Sequence, residues 1–326
     1  GLAPVLILSY GGYEIIGGRL SLGSFIAFSS FTGYLLGPAS RLANLNLHLQ
    51  KALKALERIA EILAMPEEGK PSNRIILPDC FKLSFRQIDF SYEPGFRVLK
   101  NLDVELSSGE RIGLMGGSGT GKTTLLHLIC GLIYPDSGEI LLNGNILGRN
   151  GLLGLRKQIA VVGHKAELFD DTIMNNIMAG NSKASCHEVE RFCRLVNAHE
   201  FITQFPEGYD TRIGFQGEYL SAGQQQRIAL ARALISKPRI LILDEVTANV
   251  DGKSQNYLLR TIYSLPRNML ILMVSHRYST IRECDRVLIL TDGKIRQIIE
   301  SDRSTAYYSD SRNSAETERE GILRRH

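Results

Sequence analysis

Hydrophobic and polar positions follow three successive rhythms along this chain. Between Arg19 and Arg41 no charged residue occurs, and the run Leu20–Ser40 (LSLGSFIAFSSFTGYLLGPAS) is about the length of a helix that crosses a hydrocarbon core. Its glycines and serines lower its hydropathy, although small residues are common where membrane helices pack together. A buried helix of a soluble protein is the alternative reading. The preceding apolar segment, Gly1–Ile16, is too short for a complete span, and Gly17-Gly18 predicts a turn between two helices. Next, Leu42, Leu45, Leu49, Ala52, Leu56, Ile59 and Leu63 recur in alternating steps of three and four, which is one seam of a helix. Asn44, Gln50, Lys51, Lys54, Glu57 and Arg58 fall mostly on its other faces, so the membrane helix is expected to run on into water; a soluble coiled coil is the alternative. Arg41, Lys51, Lys54 and Arg58 follow the apolar run, as on a cytoplasmic side. Met65–Pro71 breaks the helix. From about Phe81 the pattern changes to strands alternating with helices, which predicts a mixed α/β domain. The boundaries read as 1–64 helical, 65–80 linker, 81–300 α/β domain, and 301–326 a polar tail expected to be disordered.

Within the third stretch, Gly116-Gly117-Ser118-Gly119-Thr120-Gly121-Lys122-Thr123 fits G-x-x-x-x-G-K-[ST], a loop whose chemistry is phosphate binding. Glycines let successive backbone N–H groups point into one concavity. Lys122 can then reach the β and γ phosphates, and the Thr123 hydroxyl can hold Mg²⁺. Arg111–Met115 reads as a buried strand before the loop and Thr123–Cys130 as a helix after it. The phosphates would thus meet a helix N-terminus, where free N–H groups and the dipole favour anions.

Two further patterns extend that chemistry. Ile240–Leu243 is a continuous apolar run, as in a parallel strand buried on both faces, and Asp244 and Glu245 would emerge at its end. Asp244 would hold Mg²⁺, and Glu245 could take a proton from, or orient, the attacking water. Ser221 with Gln224 has the spacing of a capping box, predicting a helix from Ala222 to about Ile235; Gly223 leaves room for a ligand near its positive end.

Composition narrows the alternatives. The 326 residues include 38 basic and 34 acidic side chains, a net charge of +4 that is too small to argue for a nucleic-acid partner. Cys80, Cys130, Cys186, Cys193 and Cys284 show neither C-x-x-C pairs nor zinc spacing and read as reduced cytosolic cysteines. The N-terminus lacks a basic leader, an A-x-A site and a methionine, so a fragment or processed product is expected rather than a signal peptide.

Phosphate loop, LSAGQQQR, ILILDE, the ANVD stretch ending at Asp251, and Ser275-His276-Arg277 occur in an order that resembles the nucleotide-binding domains of ABC transporters. The resemblance runs from roughly Phe85 to Ile298 and is supported by FPEGYDT (Phe205–Thr211), while 1–64 resembles the end of an ABC exporter's transmembrane domain. It implies an α/β P-loop nucleotide-binding domain, with mixed sheet and helical subdomain, preceded by an α-helical transmembrane fragment. Such a chain would be an ATP-hydrolysing half-transporter with ATP and Mg²⁺ as cofactors. It would be integral to a membrane with its nucleotide domain in the cytoplasm, in contact with lipid, exporting an unidentified substrate, and paired with an identical or related second half-transporter. About four further membrane helices would precede it. By the same resemblance Tyr92 would stack on adenine, and Gly116, Gly117, Ser118, Gly119, Thr120, Gly121, Lys122, Thr123 and Thr124 would wrap the phosphates. Ser221, Gly223 and Gln224 would close over ATP held by the opposite subunit. Glu245 would be the general base, His276 would contact the γ-phosphate, and Asp251 would link the two sites. Three positions depart from the family pattern. His164 stands where a glutamine usually meets Mg²⁺, Ala222 replaces a glycine, and Ala248-Asn249-Val250 replaces the usual small residues before Asp251. A soluble ABC-type ATPase with a regulatory or DNA-maintenance role, or a truncated ATP-binding fragment, is the competing assignment.

Overall fold

The computed structural model describes residues 2–65, 68 and 76–300, so part of the expected linker and the whole 301–326 tail lie outside the described residues. The chain divides into two units, 1–68 and 69–326.

In the first unit, α1 (Leu2–Ile16) is followed by a reversal through Gly18, whose φ of 68° suits a residue without a Cβ, and then by α2 (Leu22–Leu63). Ser21 caps α2 by accepting the Ser24 amide. Gly11 lets the two helices approach, since a Cβ there would lie 2.1 Å from the Phe25 ring. The run read as a membrane helix and the seam read as its extension form one unbroken helix of 42 residues, roughly 63 Å long, with Pro38 inside it. Leu45, Leu49, Leu56, Ile59 and Leu63 of the seam are each more than half exposed, whereas the Leu42 side chain lies outside the described set. Among the described residues no helix is long and apolar enough to cross a membrane. The physical reason lies in two shortfalls. With 15 residues, α1 reaches only about 22 Å. The apolar part of α2 is long enough but is diluted by Gly23, Ser24, Ser29, Ser30, Thr32 and Gly33. The complete membrane span expected from Leu20–Ser40 is therefore not shown by the structure.

The second unit is built on two sheets. Strands β1 (Lys82–Glu93) and β2 (Phe96–Ser107) turn at Pro94-Gly95; β3 (Arg111–Met115) enters the phosphate loop, which leads into α3 (Lys122–Ile129). After β4 (Ser137–Leu142) and β5 (Asn145–Ile146) come α4 (Arg149–Arg156) and β6 (Ile159–Val162). A helical block follows, made of α5 (Ile173–Met178), α6 (Cys186–Leu195), α7 (His199–Ile202) and α8 (Ala222–Ile235). The chain returns to the sheets through β7 (Ile240–Asp244), α9 (Gly252–Ser264), β8 (Leu270–Val274), α10 (Tyr278–Ile281), β9 (Arg286–Thr291) and β10 (Lys294–Glu300).

The smaller sheet, in the order β2-β1-β4-β5, is antiparallel; the larger has the order β10-β9-β3-β8-β7-β6. In the larger sheet only the β10–β9 pairing is antiparallel. Strands β3 (RIGLM) and β8 (LILMV) are buried at every position, as a parallel sheet covered on both faces requires. One cluster packs Leu125, Leu128 and Ile129 of α3 with Phe85, Ile112 and Leu272. Another joins Ile228, Ala231 and Ile235 of α8 to Ile173, Val189, Leu241 and Ile271. Both helices are thereby fixed on the sheet whose β3, β7 and β8 carboxyl ends open on one edge, the place where parallel sheets bind ligands.

Candidate active site

The phosphate loop forms as its composition predicts. Gly119 and Gly121 have φ of 77° and 103°, values that disfavour a side chain. A Cβ on Gly116 would lie 2.5 Å from the Leu290 carbonyl oxygen, so the backbone can pass there only as glycine. Gly121 is the N-cap of α3 and supplies no side-chain cap, leaving the first-turn N–H groups to a ligand. Lys122 Nζ donates to the carbonyl oxygens of Gly116 at 2.9 Å and Gly117 at 2.7 Å, which folds the ammonium over the mouth of the loop. A concave backbone, a helix start and one cation together fit a polyphosphate. At the loop's flank the Thr124 hydroxyl donates to Tyr92 Oη at 3.4 Å, placing the half-exposed Tyr92 ring beside it.

Asp244 ends β7, in register with Val274 of β8. Burial, and after it the Glu245 carboxylate, push the Asp244 carboxyl above its ordinary range, while His164, Lys122 and His127 pull it back. Three expected site residues therefore lie within electrostatic reach of a fourth. Glu245 has a φ of 51°, uncommon for a residue with a Cβ, and its amide donates to the Val274 carbonyl oxygen at 3.0 Å. That turn aims its carboxylate at His276, whose Nδ1 lies 3.3 Å from Glu245 Oε1. The site thus brings together Lys122, Asp244, Glu245 and His276, with His164 within electrostatic range of Asp244. A hydroxyl on Thr123 and a carboxylate on Asp244 are oxygen donors suited to Mg²⁺, which keeps most of its shell as water and phosphate oxygens. Among the described residues no group of three or more His, Cys, Asp or Glu could hold a metal unaided.

The raised Asp244 carboxyl has a consequence for stability. Because the folded chain holds that proton more tightly than the unfolded chain, stability falls as pH rises from the unfolded pKa through the folded one. Above both, the full destabilisation is present. Asp244→Asn is accordingly expected to raise the melting temperature of the ligand-free chain at neutral pH; an unchanged or lower melting temperature would count against the electrostatic account.

A second group is held by its own hydrogen bonds. Ser221 caps α8: its Oγ accepts the Gln224 amide at 3.3 Å and its amide donates to Gln224 Oε1 at 2.9 Å, the reciprocal box that the spacing predicts. Ser221→Ala should lower stability by about 1 kcal/mol, measurable in urea. The room expected at Gly223 is taken by protein instead. A Cβ there would lie 2.7 Å from Ser254 Cβ, so the glycine permits close approach of α9. Asp251 caps α9, accepting the Lys253 and Ser254 amides at 3.1 and 3.0 Å, and the Ser254 hydrogen bonds foremost hold its carboxyl below the usual range.

Sequence reasoning passed over two residues of α8. Gln226 bonds the Gly163 and His164 carbonyls, and Arg227 donates to the carbonyl oxygens of Gly223 at 3.1 Å and Asn197 at 2.9 Å. Spacing carried the signal: Gly223, Gln226 and Leu230 share a helix face through steps of three and four, and Arg227 lies one turn after Gly223.

Comparison with known proteins agrees with this geometry. Residues 99–248 match the ABC transporter family. Leukotoxin export ATP-binding protein LtxB of Aggregatibacter actinomycetemcomitans is 36% identical over 293 residues, covering 89% of this chain and 41% of that protein. An ATP-dependent lipid A-core flippase of Syntrophus aciditrophicus (strain SB) is 37% identical over 297 residues, covering 90% and 49% respectively. The solved structure of a bacterial Atm1-family ABC exporter with ATP bound aligns with a TM-score of 0.71 at 27% identity, over 95% of this chain and 55% of that one. The chain spans less than half the length of these curated relatives. Residues 99–248 thus form an ABC transporter domain, and the chain resembles ABC exporter proteins along most of its length.

Proposed function

We propose that the chain is the ATP-hydrolysing end of an ABC exporter half-transporter. The observation that carries this reading is the meeting of Lys122, Asp244, Glu245 and His276 at the carboxyl edge of β3, β7 and β8. Residues 116–124 wrap the phosphates, Lys122 exchanges its loop carbonyls for phosphate oxygens, and Tyr92 presents its ring to adenine. Thr123 and Asp244 hold Mg²⁺, with His164 alongside. Bound magnesium supplies positive charge that stabilises developing negative charge on the phosphates. Glu245 takes the proton of the attacking water, and His276, hydrogen-bonded to that carboxylate, orients it and faces the γ-phosphate.

Ser221 and Gln224 close over the ATP of a second half-transporter, identical or related, with Gly223 meeting it through its backbone alone because α9 fills its side-chain direction, and Asp251 lies at that contact. Support comes from Ser221, exposed at the start of α8 and held by its own capping box. We further assign α1 and the first half of α2 to the parent's membrane domain, in contact with lipid, and the nucleotide domain to the cytoplasm. Exposed apolar side chains support this: Leu6 is 64%, Leu8 62% and Phe31 68% exposed. ATP-driven pairing would then move membrane helices and export a substrate. Sedimentation of the Glu245→Gln chain provides the test. Mg-ATP, and not Mg-ADP, is expected to convert it to a dimer; a sedimentation coefficient indifferent to nucleotide overturns the proposal.

A further inference from the structure

One buried side chain ties the His164 loop to the helix that begins at Ser221. Gln226 lies in the second turn of α8 and is 3% exposed. Its Nε2 donates to the carbonyl oxygen of Gly163 at 3.1 Å and of His164 at 2.9 Å. Two carbonyl acceptors require the –NH₂ end of the amide, which fixes its orientation; Oε1 is buried and makes no hydrogen bond, so the side chain acts here as a donor alone. Without these N–H groups two part-buried loop carbonyls would lose their protein partners, which is disfavoured. The backbone that Gln226 grips carries His164, whose ring lies within charge–charge range of Asp244 at the end of β7.

We propose that Gln226 is a positioning residue, which holds His164 at the site and makes the His164 loop and the start of α8 move as one body. This rests on the assignment of ATP hydrolysis above. Closure of Ser221 and Gln224 over a nucleotide would then carry the His164 backbone with it, and displacement of the loop would pull on α8. Arg227 extends the tie. Its guanidinium bonds Gly223 and Asn197 and lies 5.1 Å over the Phe201 ring, so the helical block follows α8 as well. Glutamate cannot replace Gln226, because a carboxylate would face two carbonyl oxygens. Methionine can replace its volume but not its donors.

The test uses the full chain with Gln226→Met, and Gln226→Ala beside it, each made alone and with His164→Ala. Single-turnover phosphate release and ATP affinity are measured, together with amide hydrogen exchange over residues 161–168. Alone, Gln226→Met should slow turnover about tenfold and change ATP affinity less than about twofold, since misplacement of a site residue acts on the reacting geometry. In the His164→Ala background the same substitution should change turnover less than about twofold, because the residue it positions is gone. Amide exchange over 161–168 should quicken in Gln226→Met at unchanged exchange in the β3 and β8 strands. An equal slowing in both backgrounds identifies a merely structural role and overturns the proposal, as does unaltered exchange in the loop. If the unsubstituted chain fails to hydrolyse ATP, the functional assignment fails, and the exchange measurement alone decides whether Gln226 holds the loop.

Discussion

Glu245→Gln is expected to slow Mg-ATP hydrolysis by about a hundredfold to ten-thousandfold, the span for loss of a positioned general base. ATP affinity should stay within about threefold of the starting value, because the substituted amide would retain the shape and an acceptor oxygen. The geometry explains why the loss should be so large. Glu245 follows the last residue of β7 in a left-handed conformation, fixed by its amide bond to Val274, and its carboxylate is met by His276. No other carboxylate in the site is so aimed: Asp244 is half-buried and suited to the metal. Phosphate release under saturating Mg-ATP, beside equilibrium nucleotide binding, checks both parts. A variant that turns over within tenfold of the original removes Glu245 from the base role.

Lys122→Ala should act at the earlier step. The ammonium lies over the loop, bonded to two carbonyl oxygens within 2.9 Å, and can pass to phosphate oxygens by a short rearrangement. Two hydrogen bonds to a charged partner contribute about 3 kcal/mol or more, so ATP affinity should fall by roughly a hundredfold or more. The backbone cradle and helix start remain, so binding should weaken rather than vanish, and the fold should persist. Calorimetric titration with ATP gives the affinity directly. Affinity within about threefold of the original would show that the backbone alone carries the phosphates. The two variants are thus expected to separate, one sparing binding and losing turnover, the other losing both.

Local features of this site were legible in the sequence, and those made by distant parts of the chain were not. The phosphate loop needs glycines at fixed positions, and the structure gives positive φ at Gly119 and Gly121. The Ser221–Gln224 box and the helix Ala222–Ile235 follow from contacts three residues apart, which spacing encodes. The apolar run before Asp244 encodes a buried strand for the same reason. By contrast, Glu245 and His276 are 31 residues apart, Tyr92 and Thr124 are 32 apart, and Gln226 is 62 residues from His164. Those pairs depend on strand order and on how α8 lies against the loop after β6, which no local pattern specifies. Gly223 shows the limit plainly: the glycine was legible, but its neighbour Ser254 comes from α9. In the first unit, length and periodicity identified the helix, yet Pro38 does not end it and its small polar residues leave it below the hydropathy of a membrane span.

The most direct measurement is the specific rate of Mg-ATP hydrolysis by the full chain as its concentration is raised. A site completed by a second chain predicts that the rate per chain climbs with concentration and levels off, with chelation of Mg²⁺ abolishing it throughout. A rate per chain that is constant across the range would contradict the shared site, and absence of Mg-dependent hydrolysis at every concentration would contradict the assignment of Lys122, Asp244, Glu245 and His276 to an ATPase.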